Sequence, residues 1–382
     1  MNNPFPEVLG YVPGKRMFDY GDHAYHLATW ETVDYLRKKC VATGRINIIN
    51  DKVVDVIRDE NGMVTKLKME HSEVEGDFFI DCTGLRRTLI KENNKFISFK
   101  DNFLLDTAIA FPEPYAEGEK IKNHTHAKAM KNGWMWESPT QERMGRGYNF
   151  SSALTSEEEV IKELEQEFGR EIDIKIRVKY DSGHMEKTWV KNVLSTGLSS
   201  SFIEPLEATS IHGTIKELKY FFENYFHSHL NMNQEVIQKS YNETICNFWS
   251  DVRDFILLHY QNSRQDSEFW RLSSHPDRLT DKLKFNLEVW KHRLPRPDDY
   301  HNGRRTSLMS LGNILVYQTA IGMKILSPEL ARKELEYYQL DDIIKNDMEY
   351  FKRLSSYVIP RMMDADEYYK TVLNRNGSKV SA

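Results

Sequence analysis

Hydrophobic and polar positions follow three successive patterns in the first quarter of the chain. The first pattern has helical spacing and ends at Gly44, with apolar residues at Leu27, Trp30, Val33, Leu36 and Cys40. The second, INIINDKVVDVIRDENGMVTKLKMEH, alternates with a period of two on both sides of DENG and predicts a β-hairpin. The third, DFFIDCTG, is a continuous apolar run that predicts a buried strand ending at Gly84.

Strand patterns then give way to helical ones. The sequence predicts a β-rich region, a charged helix and two further strand regions in turn, over residues 103–153, 156–168, 172–180 and 184–190. Thr155 or Ser156 caps the charged helix, and its early glutamates suit the positive end of the helix dipole. From Ile211 onward the pattern is largely helical.

These patterns predict a mixed α/β (α+β) fold with a largely helical C-terminal half. We expect a β-rich region over residues 1–215 and a helical region over 216–382. A chain of 382 residues is long enough for one large core or two ordinary domains. Because no linker separates the two regions, the sequence favours one integrated domain.

The composition excludes several classes of function. Hydrophobic residues make up 40% of the chain and charged residues 29%, and the net charge of −5 provides no basic surface for nucleic acid. No apolar run reaches the ~20 residues of a membrane helix, and MNNPFPEVLG lacks the features of a signal peptide. Cys40, Cys82 and Cys246 lie far apart, so we expect no metal site and a reducing, cytoplasmic environment.

The stretch SSFIEPLEATSIHG, residues 200–213, combines two carboxylates with small and hydroxyl residues. A helix opening at Ile211 would leave the backbone N–H groups of Thr209, Ser210 and Ile211 free to bind an anion. Glu207 beside such a site costs energy unless it is paired or needed there. Taken alone, however, the stretch favours an ordinary helix cap, and Glu204 is interpreted as structural.

Three other segments leave their function open. Gly84, which follows the buried strand, would let the backbone approach a ligand closely, although a simple turn explains it as well. Trp134 and Trp136 share one face of a predicted strand, where they wall off a cavity or belong to the core. Residues 241–270 read as a buried helix with no sign of catalysis.

Together and in this order, the segments resemble the flavin-dependent halogenases of the tryptophan halogenase family. The resemblance covers most of residues 24–272. It rests on these motifs: AYHLATW, FFIDCTGLRRTLI, GWMWESP, RMGRGYNFSS, NVLSTGLSSSFIEPLEATSI and DVRDFILLHYQNSRQDSEFW.

The resemblance implies a flavin-monooxygenase-like fold and a halogenation reaction. Reduced FAD (FADH2), O2 and a halide would give hypohalous acid, which halogenates an electron-rich aromatic of the indole or phenol type. A separate flavin reductase would supply the reduced cofactor. The oligomeric state stays open, a homo-oligomer included.

The resemblance also assigns roles to residues. It implies one catalytic carboxylate, two halide-site residues, three flavin contacts and two signature tryptophans, namely Glu207; Thr209 and Ser210; Val53, Leu198 and Ile211; and Trp134 and Trp136. The tryptophans would keep substrate away from the flavin. Three positions depart from the family pattern, with Ser138 in place of isoleucine, Ala208 in place of serine and Ser210 in place of glycine.

One family motif has no match in this sequence. The family opens with G-x-G-x-x-G, which holds the FAD pyrophosphate, and carries its catalytic lysine in the same leading portion. The expected fold is therefore an N-terminally shortened one, and no lysine is assigned. Two alternatives to a halogenase follow: a non-catalytic or incomplete halogenase-like protein, and a flavin-dependent aromatic hydroxylase.

Overall fold

A computed structural model describes residues 8–9, 26–226, 235–296, 299, 313–361 and 363–368. Its fold is mixed α/β, as the sequence predicted. The helices of the described residues are α1 (Thr29–Ala42), α2 (Glu157–Phe168), α3 (Thr209–Asn224), α4 (Glu235–His259), α5 (Glu268–Ser273), α6 (Asp281–Val289), α7 (Asn313–Gly322), α8 (Pro328–Tyr337), α9 (Asp341–Val358) and α10 (Ala365–Tyr368).

The strands of this part of the chain are mostly short. They are β1 (Val8–Leu9), β2 (Val53–Arg58), β3 (Val64–Met69), β4 (Glu73–Glu75), β5 (Phe79–Asp81), β6 (Phe96–Ser98), β7 (Thr107–Ala110), β8 (Glu113–Pro114), β9 (His126–Met130), β10 (Gly133–Pro139), β11 (Arg143–Phe150), β12 (Ile176–Lys179), β13 (Gly183–Met185), β14 (Trp189–Val190), β15 (Val193–Ser195), β16 (Ser201–Phe202) and β17 (Met363–Asp364). The hairpin predicted around DENG is confirmed, since β2 pairs antiparallel with β3.

The chain divides into two compact units, each built from separated segments. The first contains the described residues of Met1–Asn47, Thr107–Lys179 and Ala331–Ala382. The second contains those of Ile48–Asp106 and Tyr180–Leu330. The division expected at residue 215 runs through α3, which lies wholly in the second unit.

The first unit is organised around an antiparallel sheet in the order β12-β7-β11-β10-β9, with β8 paired to β11. Helix α2 packs on this sheet through Val160 and Leu164, which join the same buried cluster as Met135 of β10. Ser156 is the cap of α2: its hydroxyl accepts from the Glu159 N–H, and the Glu159 carboxylate accepts from the Ser156 N–H. This capping box confirms the predicted helix start.

The second unit has three three-stranded sheets, in the orders β2-β3-β4, β14-β15-β5 and β16-β13-β6. The predicted buried strand is β5, which pairs parallel with β15. The buried amide of Asn192 connects this sheet to the hairpin, because it accepts from Val64 N–H at 2.9 Å and donates to Val64 O at 2.8 Å. One buried cluster therefore spans both sheets.

Helices α3 and α4 pack closely in the second unit because Gly213 has no side chain. A Cβ at Gly213 would lie 2.3 Å from Cη2 of Trp249, a fully buried residue of α4. In contrast, α1 of the first unit buries none of its side chains, and Trp30 is 75% exposed. The helix predicted from that apolar pattern is thus present, but its apolar positions lie at the surface. None of the helices described here is long and apolar enough to cross a membrane.

The close α3–α4 contact gives a stability prediction for Gly213→Ala. The added methyl must displace the Trp249 ring, so we expect a loss of about 1–3 kcal/mol in the free energy of unfolding. Gly322→Ala in α7 is the matched control, because a Cβ there meets no atom within 4 Å. Urea unfolding of both variants tests this; a Gly213→Ala variant as stable as the control would contradict it.

Candidate active site

The stretch that joins β15 to α3 turns sharply twice. Gly197–Ser199 form one 3-10 turn and Pro205–Glu207 form a second, after which Ala208 adopts a left-handed conformation with φ 50°. A non-glycine residue in this conformation costs about 1–2 kcal/mol. The reversal at Ala208 lets α3 begin at Thr209, two residues earlier than the sequence suggested, so Glu207 lies immediately beside the helix N-terminus.

The N-terminus of α3 lacks the usual side-chain cap. Ala208 is the N-cap residue and has no side-chain oxygen with which to accept from the first N–H groups. The Thr209 residue is only 6% exposed, and its Oγ1 is a buried atom with no hydrogen-bond partner. Uncapped N–H groups and an unpartnered hydroxyl at the positive end of a 16-residue helix are suited to binding an anion.

Glu207 is paired with His259, the last residue of α4. His259 Nε2 lies 2.7 Å from Glu207 Oε1, while His259 Nδ1 lies 3.1 Å from the Phe255 carbonyl oxygen. Because a carbonyl only accepts, Nδ1 carries a hydrogen, and the contact between Nε2 and Oε1 must hold one further proton. The Glu207 side chain is 35% exposed, so the carboxylate is partly open to the surroundings of the site.

The second carboxylate of the stretch has different surroundings. Glu204 is fully buried and accepts a hydrogen bond from the Tyr260 hydroxyl. Burial, together with the nearby Glu204 and Asp106 charges, raises the pKa of Tyr180 well above its usual value. These contacts agree with the interpretation of Glu204 as structural.

We call the stretch from the end of β15 to the first turn of α3, residues 196–211, the junction. Two of the three predicted flavin contacts lie on it. Leu198 is on the first 3-10 turn and is 39% exposed, and Ile211 is in the first turn of α3 and is 65% exposed. Ser199 Oγ lies 3.2 Å from both Asp81 Oδ1 and Gly84 O, which places the turn after β5 beside Leu198's turn. A Cβ at Gly84 would meet nothing within 4 Å. Exposed apolar side chains beside open backbone fit one edge of a planar ring system.

Val53, the third predicted flavin contact, is not joined to this junction. It begins β2 and pairs with Met69 in the separate hairpin sheet. Within the described ranges, no strand pairing or hydrogen bond links it to Leu198 or Ile211. Its role stays a prediction from the resemblance.

Trp134 and Trp136 lie on β10 in the first unit. Their ring centroids are 5.9 Å apart, which confirms that the two indoles share one face of the strand. Gly147 is opposite Trp136 in the sheet, where a Cβ would lie 2.1 Å from the indole. The glycine therefore provides the space for Trp136. Because side chains alternate along a strand, this face is opposite the one on which Met135 packs toward α2.

Sequence reasoning missed two buried or half-buried polar groups of the second unit. His259 was read as part of a helix with no sign of catalysis, although it is a lone histidine in the apolar run FILLHY. Glu217 was not noticed, because it stands among other charged residues in IKELKYFFEN. The one sequence feature that points to Glu217 is its position four residues after Gly213, which places Gly213 and Glu217 on the same face of the helix.

Comparison with known proteins gives one consistent family. The family model described as tryptophan halogenase matches residues 14–332. Tryptophan 6-halogenase SttH of Streptomyces toxytricini is 30% identical over 371 residues, which cover 90% of this chain and 68% of SttH. Tryptophan 7-halogenase RebH of Lentzea aerocolonigenes is 30% identical over 277 residues, which cover 71% of this chain and 52% of RebH.

A solved structure agrees with these relatives. The tryptophan halogenase from Shewanella frigidimarina superimposes with a TM-score of 0.78 at 25% identity, over 90% of this chain and 66% of its own. This chain thus spans about half to two thirds of the length of the proteins it matches. On the extent of the family match, the chain belongs to the tryptophan halogenase family.

Proposed function

We propose that this chain acts as a flavin-dependent halogenase on an electron-rich aromatic substrate. The names of its relatives favour the indole of tryptophan as that substrate. The chemistry expected of bound reduced FAD with O2 is oxidation of a halide to hypohalous acid. The observation that carries the proposal is the Glu207–His259 pair beside the uncapped start of α3.

Thr209 and Ser210 would hold the halide. An anion at this position receives the N–H groups of the first turn and gives the buried Thr209 hydroxyl the hydrogen-bond partner that it lacks within the protein. Ser210 has its own carbonyl engaged by Thr214 Oγ1 at 2.7 Å, which holds the backbone of this turn. The side chain at position 210 also reduces the space for the anion relative to glycine.

Glu207 would handle the proton of the reaction. With the proton on its carboxyl group, Glu207 can donate to the oxidant and polarise it; with the proton on His259, it can accept the hydrogen lost from the aromatic ring. His259 orients the carboxylate, because its other nitrogen is fixed to the Phe255 carbonyl oxygen. The pair would therefore provide a site for one proton beside the N-terminus of α3.

Other parts of the proposal rest on family resemblance and on local geometry. Leu198 and Ile211 would contact the flavin ring, with Val53 as a further contact. Trp134 and Trp136 would keep substrate from the flavin. We also propose that a separate flavin reductase supplies reduced FAD and that the protein works in the cytoplasm.

Replacing the carboxylate tests the role of Glu207. Purified protein with FAD, a flavin reductase, NADH, bromide and tryptophan or a simple indole is expected to give a brominated product by mass spectrometry. Glu207→Gln keeps the shape but cannot exchange the proton, so product formation should fall about a hundredfold or more while NADH consumption continues. Glu223→Gln is the control, since Glu223 lies near the C-terminal end of α3, in an exposed ion pair with Lys219.

Two outcomes of this experiment oppose a halogenase. Oxygen incorporation that does not depend on a halide would indicate an aromatic hydroxylase. Bound FAD without a halogenated product, for chloride and for bromide, would indicate a non-catalytic member of the family.

Thr209→Val tests the halide site with a readout that needs no turnover. Valine keeps the shape of threonine but removes a buried hydroxyl that has no partner, so stability in halide-free buffer should rise by about 1 kcal/mol. The KM for bromide should rise about tenfold, because a hydrogen-bond donor to the anion is lost.

Thr214→Val is the matched control for Thr209→Val. Thr214 Oγ1 already donates to Ser210 O, so its loss removes a satisfied hydrogen bond and should give no gain in stability. If Thr209→Val leaves both stability and the KM for bromide unchanged, the hydroxyl does not face the halide.

A further inference from the structure

Glu217 is a fully buried carboxylate in the middle of α3. Its Oε1 accepts from Ser200 Oγ at 2.6 Å and from Trp249 Nε1 at 2.7 Å, and its Oε2 accepts from Thr196 Oγ1 at 2.8 Å. The backbone N–H of Gly197 is a fourth donor close to the carboxylate. Three of the four donors belong to the turn that carries Leu198.

The contacts of Glu217 connect three elements. The turn Thr196–Ser200 lies between β15 and β16, the carboxylate belongs to α3, and Trp249 belongs to α4. Gly213 precedes Glu217 by one helical turn on the same face, where its missing side chain lets the Trp249 ring approach α3. The indole therefore packs on Gly213 and donates to Glu217 at the same time.

A carboxylate at this position is costly unless it has a structural purpose. Burial raises the pKa of Glu217 to about 7, although the three hydrogen bonds and the nearby Gly197 N–H favour the anion. An apolar residue would avoid that cost but would leave the donors of the turn buried and unpaired. The carboxylate thus determines a single arrangement of the turn against α3.

We propose that Glu217 is a positioning residue that holds the Leu198 turn in register with the N-terminus of α3. It thereby sets the spacing between the flavin contact at Leu198 and the halide site at Thr209 and Ser210. This inference rests on the proposed function, from which those two roles come. Glu217 itself would touch neither flavin nor halide.

The full chain carrying Glu217→Gln tests the inference. The amide places an N–H group among donors, so the turn should loosen. We expect FAD binding, followed by fluorescence quenching, to weaken about tenfold. We also expect the KM for bromide to rise several-fold and the yield of product per NADH oxidised to fall, with the KM for the aromatic substrate unchanged.

Two further variants separate positioning from general stability. Trp249→Phe removes the donor from α4 and leaves the three from the turn, so it should lower the melting temperature but keep FAD binding within twofold. Thr196→Val removes one donor of the turn, leaves Glu217 in place, and should weaken FAD binding in the same direction as Glu217→Gln. Thr196→Val also serves if Glu217→Gln does not fold.

The pH dependence of stability gives a separate readout. Because the folded pKa of about 7 lies above the ordinary value of 4.5, the folded protein holds a proton that the unfolded chain loses over this range. Stability from this group is full below about pH 4.5 and is lost as the pH rises toward 7. Cys82, Tyr241 and Cys246 are the titratable groups on which the Glu217 charge acts; burial first, and then nearby negative charge including that of Glu217, raises the pKa of each, so they stay neutral in this range. Glu217→Gln should remove this part of the pH slope.

The outcomes distinguish this inference from the proposed function. FAD binding and a bromide KM that match wild type in Glu217→Gln and in Thr196→Val would overturn the positioning role. Wild-type protein that binds FAD but forms no halogenated product would overturn the halogenase proposal, and the FAD-binding measurements would still decide the role of Glu217. Wild-type protein that does not bind FAD would overturn both.

Discussion

The buried acceptor at Glu217 is the constraint on which the arrangement of the junction depends. The turn has two inward-pointing hydroxyls, on Thr196 and Ser200, and both residues are buried, so these groups need an acceptor within the protein. One carboxylate accepts from both hydroxyls and also from the indole N–H of Trp249 on α4. The position of the first turn relative to α3 and α4 is consequently set by a single side chain rather than by loop packing.

Helices α3 and α4 also position the Glu207–His259 pair at the other end of the junction. Helix α4 ends at His259, whose imidazole is held between the Phe255 carbonyl oxygen and Glu207. Helix α3 begins at Thr209 because the left-handed Ala208 reverses the chain directly after Glu207. Because α3 and α4 pack closely at Gly213 and Trp249, the carboxylate beside the start of α3 and the imidazole at the end of α4 belong to one packed arrangement.

Sequence patterns predicted the parts of the fold that depend on local rules. The DENG hairpin follows from period-two alternation, and the start of α2 follows from the Ser156–Glu159 capping box. Tertiary contacts were not accessible in the same way. Glu217 and Gln238 look alike in sequence as polar residues on amphipathic helices, yet each is buried by a partner far along the chain. The pairing of Glu207 with His259 spans 52 residues, which no local pattern records.

Local patterns do not reveal which apolar side chains are buried. The helical spacing around Trp30 predicted a helix correctly, but spacing indicates only that apolar residues share a face, and none of the side chains of α1 is buried. Leu198 and Ile211 are also exposed apolar residues, but they lie at the junction, where a ligand could cover them. The hydroxyl of Thr209, nearby in the sequence, is buried without a hydrogen-bond partner. Exposed apolar surface and a buried, unpaired polar group each cost free energy, and both occur within a few residues of each other.

A ligand with a flat apolar face and an adjacent anion would relieve both costs at the junction. By the proposal, the hydrogen bonds from the Leu198 turn to Glu217 hold the exposed Leu198 side chain in a defined position. The carboxylate of Glu217 has its hydrogen-bond partners within the protein, whereas the buried hydroxyl of Thr209 has none. The contrast between a satisfied buried group and an unsatisfied one, on the same helix, distinguishes the proposed positioning residue, Glu217, from the proposed halide-binding residue, Thr209.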